Sequence, residues 1–293
     1  MLSLRQLEYL VTVVDTGSFT RAAAALHVTQ PALSHQIRAL ERTTGGPLLE
    51  RLPRAVRLTP MGRAMLPHAR AALADAARAG VAARQAGGLQ CGELDVATIY
   101  SVSLGVLPPV LRAWRRDHPD VHVRLLEFRH ADELHAAMLA GRADVAVGPA
   151  PPDWEGTVRE LGHEEFVLVL AADDPCAAGE GPLPLTELAD RAWVHYAPGH
   201  GLAELVDRAC AAVGFIPRAA VRTEQTATAP VLAAAGLGPT LTPENVLPAR
   251  FDGVVRRPDP PITRLLTGYA RAAADPLTSA FLDALERNAR GVS

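Results

Sequence analysis

The sequence predicts an α/β protein in unlike parts: a small all-helical unit with a two-stranded wing, a long linker helix, and two α/β lobes. Three observations predict it. A chain of 293 residues is too long for one small domain, and 48% apolar residues can fill a sizeable core. The hydrophobic period is helical as far as Gln85, and from Cys91 onward it alternates between strand and helix. Charge divides at the same place. Residues 1–90 hold eleven Arg against five Asp or Glu, whereas residues 91–293 hold eighteen against twenty-seven. Only the first part is suited to a polyanion, and with no lysine anywhere every basic contact there is a guanidinium. The expected domains are residues 1–58, a linker and hinge at 59–88, and 89–293.

In chain order, Leu4, Leu7, Val11 and Val14 mark an amphipathic helix that Gly17 ends. Ser18 caps a short Ala-rich helix from Phe19 to Leu26, and His27-Val28-Thr29 makes the turn. Thr29 caps the next helix, and Pro31 fits its first turn, where backbone donors lack partners anyway. Leu33, Ile37 and Leu40 lie on one stripe of that helix. The other face offers Gln30, Ser34, His35 and Arg38, whose donors and acceptors suit base edges in a major groove. Leu48 to Thr59 reads as the wing, with Arg51, Arg54 and Arg57 spaced to reach phosphates. Together these describe a winged helix-turn-helix that binds double-stranded DNA. Gln30, Pro31, Ser34, His35 and Arg38 are the candidate base contacts, although Ser34 and His35 would serve equally well on phosphates. The bland alternative is a helical hairpin with scattered surface polarity.

Thr59 as cap and Pro60 at the first helical position start the linker helix, which runs to about Gln85. Met65, Ala69, Ala72, Leu73, Ala76 and Ala77 give it an apolar face, and Pro67 predicts a slight kink near Arg63. A lone helix cannot bury such a face, so a second copy packed antiparallel is expected, making a dimer. Ala86-Gly87-Gly88 ends the helix in a hinge.

Beyond Cys91, strands are expected at Glu93–Thr98, Val121–Glu127, Ala143–Gly148, Phe166–Ala172, Ala192–Tyr196, Ala219–Thr223 and Thr240–Leu241. Helices are expected at Leu104–His118, Ala131–Ala140, Leu185–Ala189, Leu202–Val213, Thr226–Ala235 and Pro276–Ala289. Ile262 to Tyr269 returns the chain to the first lobe. Such alternation predicts a mostly parallel sheet, with lobe I at about 89–161 and 268–293 and lobe II at about 162–267.

The first sixty residues resemble the DNA-binding domain of the LysR-type transcriptional regulators. GSFTRAAAAL, VTQPALSHQI, LERLPR and LTPMG stand in that family's order and spacing. Thr44 departs where the family usually has an apolar residue, and Leu49 where it usually has Phe. LPPVLRAWRRDHPDV, LHAAMLAGRADVAVG and AAAGLGPTLTPENVLP are similar to the family's periplasmic-binding-protein-like effector domain. Asp174-Pro175-Cys176-Ala177 departs where relatives often have His-Pro-Leu-Ala. The resemblance implies dimerisation through the linker helix, tetramers through the effector domains, and an interrupted palindromic operator. It also implies lobe closure that alters DNA bending, with RNA polymerase a further candidate partner.

Ligands in open α/β lobes sit beyond the carboxyl ends of strands. There the sequence offers Thr98, Tyr100, Ser101 and Ser103 after the first strand, and Tyr196, His200 and Gly201 before a long helix. Gln225 and Thr226 lie between a later strand and helix. Free N–H groups and hydroxyls at these places suit a small organic anion. The competing reading is that the hydroxyls only cap their helices and that His195 and His200 are structural. His118, His122, His130 and His135 read as surface residues, and Asp132-Glu133 and Glu164-Glu165 as solvated faces.

Several classes are excluded. No run of eighteen apolar residues could span a membrane, and the first helix carries Arg5 and Glu8 where a signal segment would be apolar, so a cytoplasmic location is expected. Cys91, Cys176 and Cys210 lack CxxC spacing and read as unpaired thiols. No P-loop, GxGxxG, GxSxG or HExxH occurs, so neither a catalytic site nor a metal or cofactor is expected. The function expected is a DNA-binding transcriptional regulator switched by a small anionic effector. The alternatives are a ligand-independent DNA-binding protein, or an enzyme or solute-binding domain fused to a DNA reader.

Overall fold

The computed structural model describes residues 2–52, 55–86, 92–248, 250–271 and 275–289. The chain divides into two compact units, residues 1–92 with 136–142, and residues 93–135 with 143–293.

The first unit holds α1 (Leu4–Thr16), α2 (Phe19–Ala25) and α3 (Gln30–Thr44). A hydroxyl starts each helix. Ser3, Ser18 and Thr29 accept from the N–H groups of Gln6, Arg21 and Ala32 at 3.3, 3.4 and 3.4 Å. Gln6 reaches back to the Ser3 N–H, completing a capping box. α1 and α3 stop at Gly17 and Gly45, both left-handed at φ 63° and 85°, where a side chain would be strained. Leu10, Val13, Ala22, Leu33, Ile37, Leu40 and Leu48 form the core.

The wing is β1 (Leu49–Leu52) paired antiparallel with β2 (Ala55–Leu58), with Leu49 opposite Leu58. Its entry is fixed from α3, because the Glu41 carboxylate accepts from the Leu48 and Leu49 N–H groups at 3.0 and 3.3 Å. Its exit is fixed by Thr59, whose hydroxyl donates to the Pro47 carbonyl at 2.7 Å and accepts from the Gly62 N–H at 3.0 Å. A Cβ at Gly62 would stand 2.1 Å from the Leu48 carbonyl oxygen, so only glycine lets the linker leave here. α4 (Pro60–Ala86) then runs through Pro67 without a break. Met65 packs against the core of this unit and Ala69 is buried, while Asp15 of α1 pairs with Arg70. Ala76 and Ala77 are exposed. The expected hinge glycines, Gly87 and Gly88, and Cys91 lie outside the described residues.

After the linker come β3 (Gly92–Ile99), α5 (Tyr100–Gly105), α6 (Leu107–Asp117), β4 (Val121–Phe128), α7 (Ala131–Leu139), β5 (Val145–Gly148) and β6 (Thr157–Leu170), which apart from Gly92 and the end of α7 from Ala136 onward belong to the second unit. There follow β7 (Leu183–Pro184), β8 (Ala192–Tyr196), α8 (Gly201–Ala212), β9 (Arg218–Thr223), α9 (Thr228–Ala234) and β10 (Thr240–Pro243). β11 (Val254–Arg256), β12 (Pro258–Asp259), β13 (Thr263–Ala270) and α10 (Pro276–Asn288) close the chain. The helix expected over Leu104–His118 is divided at Val106. A Cβ on Gly105 would lie 2.4 Å from Asn245 Oδ1, and Pro108 and Pro109 demand a new start. Leu185–Ala189 is only a 3-10 turn over Leu185–Leu188.

The principal sheet has the order β10-β6-β13-β5-β3-β4, with β11 also on β6, while β8 and β9 pair in parallel beside it. It is mixed rather than mostly parallel. β3 and β5 are parallel, but β13 is antiparallel to β5 and β6, as are β10 and β11 to β6. The reason is that β6 and β13 carry the chain from one lobe to the other and back, side by side. Neighbouring passes in opposite directions pair antiparallel. Their ladder runs from Thr263 opposite Glu165 to Ala270 opposite Thr157 and shifts by one residue at Leu161, between the Leu266–Gly162 and Thr267–Glu160 pairs. In one lobe Val96, Val145 and Val147 are buried, and Trp114 meets Phe281 edge-on at 5.1 Å. In the other, Phe166, Leu168, Trp193, Leu202, Val206 and Leu241 fill the core. Among the described residues no helix is long and apolar enough to cross a membrane.

Candidate functional site

On the first unit, the apolar stripe of α3 faces inward and leaves Gln30, Pro31, His35 and Arg38 exposed. A groove of about 780 Å³ runs beside them, lined by His35, Arg38, Glu41, Arg42 and Gly45–Pro47. Among the described residues, Arg38, Arg42 and exposed Arg57 have no ion-pair partner, so their guanidinium groups are free for phosphates or guanine edges. Ser34 departs from expectation and is buried, 5% exposed. It follows Leu33 by one position and precedes Ile37 by three, so a stripe of ordinary width includes it. Arg54 and the side chain of Arg51 lie outside the described residues.

The second unit contains a cleft at the carboxyl ends of β3, β4, β8 and β9, where ligands of open α/β folds bind. Two cavities share it, of about 410 and 380 Å³, and both are lined by Tyr100 and Arg129. Ser101, His130, His200, Gly201 and Arg264 line the larger, and Ser103, Glu127, Glu224, Gln225 and Thr226 line the smaller. The walls touch. The first N–H of α8, on Gly201, donates to the Arg129 carbonyl at 2.9 Å, and His130 Nε2 lies 3.3 Å from Glu204.

Seven expected residues therefore meet here: Tyr100, Ser101, Ser103, His200, Gly201, Gln225 and Thr226. Thr98 and Tyr196 do not. Thr98 is fully buried in β3 and donates to the Val147 carbonyl of β5 at 3.0 Å, because its strand has a neighbour on that side. Tyr196 is fully buried beneath His200, with ring centroids 5.0 Å apart, and its hydroxyl donates to the Leu241 carbonyl at 3.4 Å. Burial pushes its phenol up to about 12, so it stays protonated.

His200 is cavity wall and helix cap together. Its Nδ1 accepts from the Leu202 N–H at 3.1 Å, which assigns the ring proton to Nε2, 3.4 Å from the Thr226 hydroxyl. Burial, followed by the charges of Arg129 and Arg264, pushes its pKa down to about 4. The ring is thus neutral near pH 7.

Sequence reasoning missed the charged residues of the cleft. Glu164 is no solvated carboxylate. It is fully buried, paired with Arg264 and bonded by Asn245 Nδ2 at 3.1 Å. The same guanidinium donates to Ser101 Oγ at 2.9 Å, so the Ser101 hydroxyl already has a partner. Glu165 pairs with Arg257. His130 and His135 are not simple surface residues either: His130 lies between Asp132 and Glu204, and His135 Nε2 stands 2.8 Å from the Pro149 carbonyl oxygen. One signal was visible beforehand, an arginine inside the apolar run Ile262–Tyr269, which is costly unless a partner faces it.

Comparison with known proteins agrees across nearly the whole chain. A family profile described as "LysR substrate binding domain" matches residues 87–290, and one described as "Bacterial regulatory helix-turn-helix protein, lysR family" matches residues 4–63. The HTH-type transcriptional regulator IlvR of Caulobacter vibrioides is 34% identical over 289 residues, 96% of each chain. A full-length OxyR variant from Pseudomonas aeruginosa aligns with a TM-score of 0.74 at 26% identity, over 99% of this chain and 100% of that one. Full-length CbnR complexed with its target DNA aligns with a TM-score of 0.68 at 28% identity, over 98% and 99%. A helix-turn-helix with an exposed polar face, and two α/β lobes around a cleft, are the two parts of a DNA-binding regulator, not of an enzyme. The chain belongs to the LysR family of bacterial transcriptional regulators.

Proposed function

We propose that this regulator acts in the cytoplasm and that a small organic acid, held in the interlobe cleft, switches its grip on an interrupted palindromic operator. Residues 1–58 read the DNA, with Gln30, Pro31, His35 and Arg38 toward base edges and Arg51, Arg54 and Arg57 toward phosphates. Residues 59–88 join two copies through the apolar face of the linker helix, and effector domains of about 89–293 assemble dimers into tetramers that bend the DNA. RNA polymerase is the partner that would sense the bend. The observation that carries the reading is the cleft itself, with two adjoining cavities at strand ends and wall residues from both lobes in contact. An acid bound more tightly to closed lobes than to open ones biases the equilibrium by that difference, about 1–3 kcal/mol in typical cases. That CbnR was solved on its target DNA supports the assignment of the N-terminal unit.

The test is thermal unfolding of the full-length chain across a panel of small organic acids, with operator binding read in parallel by gel shift. A hit should raise the melting temperature, change the gel-shift pattern, and lose both effects in Arg129→Ala. Operator binding that no acid alters, with cleft variants behaving as wild type, would leave a ligand-independent DNA-binding protein.

A further inference from the structure

We infer that the effector is a zwitterion, a small amino acid or close analogue whose carboxylate meets Arg129 while its ammonium lies between Glu127 and Glu224. This rests on the interlobe cleft being the effector site.

Counting charges along the walls leads there. Arg264 is matched by Glu164, and His130 and Arg208 both face Glu204. When these are set aside, three charged side chains of the smaller cavity have no ion-pair partner among the described residues: Arg129, Glu127 and Glu224. Glu127 comes from the end of β4, and Glu224 from the loop after β9, in the other lobe. The remaining charge is thus of both signs. All three are exposed in this form; lobes closing over a plain acid would satisfy Arg129 but take water from two carboxylates with no counter-charge between them, which is costly for unpaired ions. A molecule with one anionic and one cationic group answers both.

The hydrogen-bonding groups fit the same division. Ser103 Oγ donates to Glu127 Oε1 at 2.5 Å, fixing that carboxylate at the wall with its other oxygen free to accept. Gln225 and Thr226 add neutral polar groups beside Glu224. Leu104 and Ala227 supply a small apolar wall for a side chain, and about 380 Å³ suits a molecule of amino-acid size. There is also a consequence for switching. Carboxylates from opposite lobes repel as the cleft narrows, and a cation between them reverses the sign, so the ammonium favours the closed form.

The experiment uses the full-length protein at pH 7 and three matched sets: the twenty standard amino acids, their deaminated acids, and their decarboxylated amines. At saturating concentration at least one amino acid should raise the melting temperature by roughly 3 °C or more, and its acid and amine counterparts should not. Glu127→Gln with Glu224→Gln should weaken that amino acid at least about tenfold by calorimetry. Without ligand the double variant should melt no lower than wild type, since no ion pair is lost. Deaminated acids that match their amino acids would overturn the inference, and so would a double variant that keeps the amino-acid response, or a set in which no amino acid binds. Plain acids that bind, and stop binding in Arg129→Ala, would overturn the zwitterion while leaving the effector cleft intact. Binding of any probe that no cleft variant alters would refute both.

Discussion

Replacing Glu164 by Gln should cost this protein more than any single change on its surface. The carboxylate is fully buried and cannot turn to water, and the Arg264 side chain, 15% exposed at the wall of the larger cavity, can do so only in part. The amide still bonds Asn245, but the guanidinium then has only Ser101 Oγ and an uncharged oxygen. Removing one partner of a buried pair typically costs about 3–5 kcal/mol, because the stranded charge remains. For a unit of this size that is roughly a 10 °C fall in melting temperature. Arg264→Met should be similarly damaging alone. The double variant removes both charges and should recover most of the loss, with a coupling of about 2–3 kcal/mol. The protein carries its own probe. All three tryptophans, Trp114, Trp154 and Trp193, lie in the second unit, so urea unfolding followed by their fluorescence reads that unit alone. A Glu164→Gln loss below about 1 kcal/mol, or single losses that simply add in the double variant, would refute the argument.

Three further outcomes are expected. Gly62→Ala places a methyl 2.1 Å from the Leu48 carbonyl oxygen, so it should destabilise the winged unit by about 2 kcal/mol or more and weaken operator binding, read by calorimetry and gel shift. Arg38→Ala should cost roughly 1–3 kcal/mol of operator binding; an unchanged ratio of specific to random duplex at matched salt would move Arg38 from bases to phosphates. His200 should make stability fall as pH drops from about 6.5 toward about 4. Its folded pKa lies below its unfolded one, so above 6.5 both states are neutral, and within the window only the unfolded state gains the proton. The integrated loss is roughly 3 kcal/mol. His200→Asn keeps a capping acceptor and should flatten that slope in melts recorded between pH 4 and 7; a slope left unchanged would assign it elsewhere.

What the sequence revealed and what it concealed follow from the range of the forces involved. α3 was legible because its signals are local: Thr29 caps it, Pro31 enters its first turn, and Leu33, Ile37 and Leu40 repeat on one side. Ser34 was misplaced since a stripe's width depends on what packs against it, here the cores of α1 and α2. The strands of the second unit were legible as apolar runs, yet their directions were not. Thr157–Glu165 is largely polar and partly exposed, so nothing local marked it as half of a strand crossing between lobes. Glu164 and Arg264 sit a hundred positions apart, and only the antiparallel register that places them opposite each other makes them a pair. Thr98 and Tyr196 looked available because each ends a strand, but those strand ends are buried on both faces, where alternation says nothing about direction.

The extra residue at Leu161 has a mechanical consequence. Both passages of the backbone between the halves of the second unit are strands, and the whole of β13 is hydrogen-bonded to the Thr157–Glu165 stretch of β6. Neither half can swing on a slack tether, since any tilt of one against the other must twist or bend this doubled ribbon. Ribbons bend most readily where a rung is out of step, and β6 and β13 have that step between Gly162 and Glu160. A tilt of one half against the other would therefore have to pass through this step in the ribbon, which favours bending there over bending elsewhere.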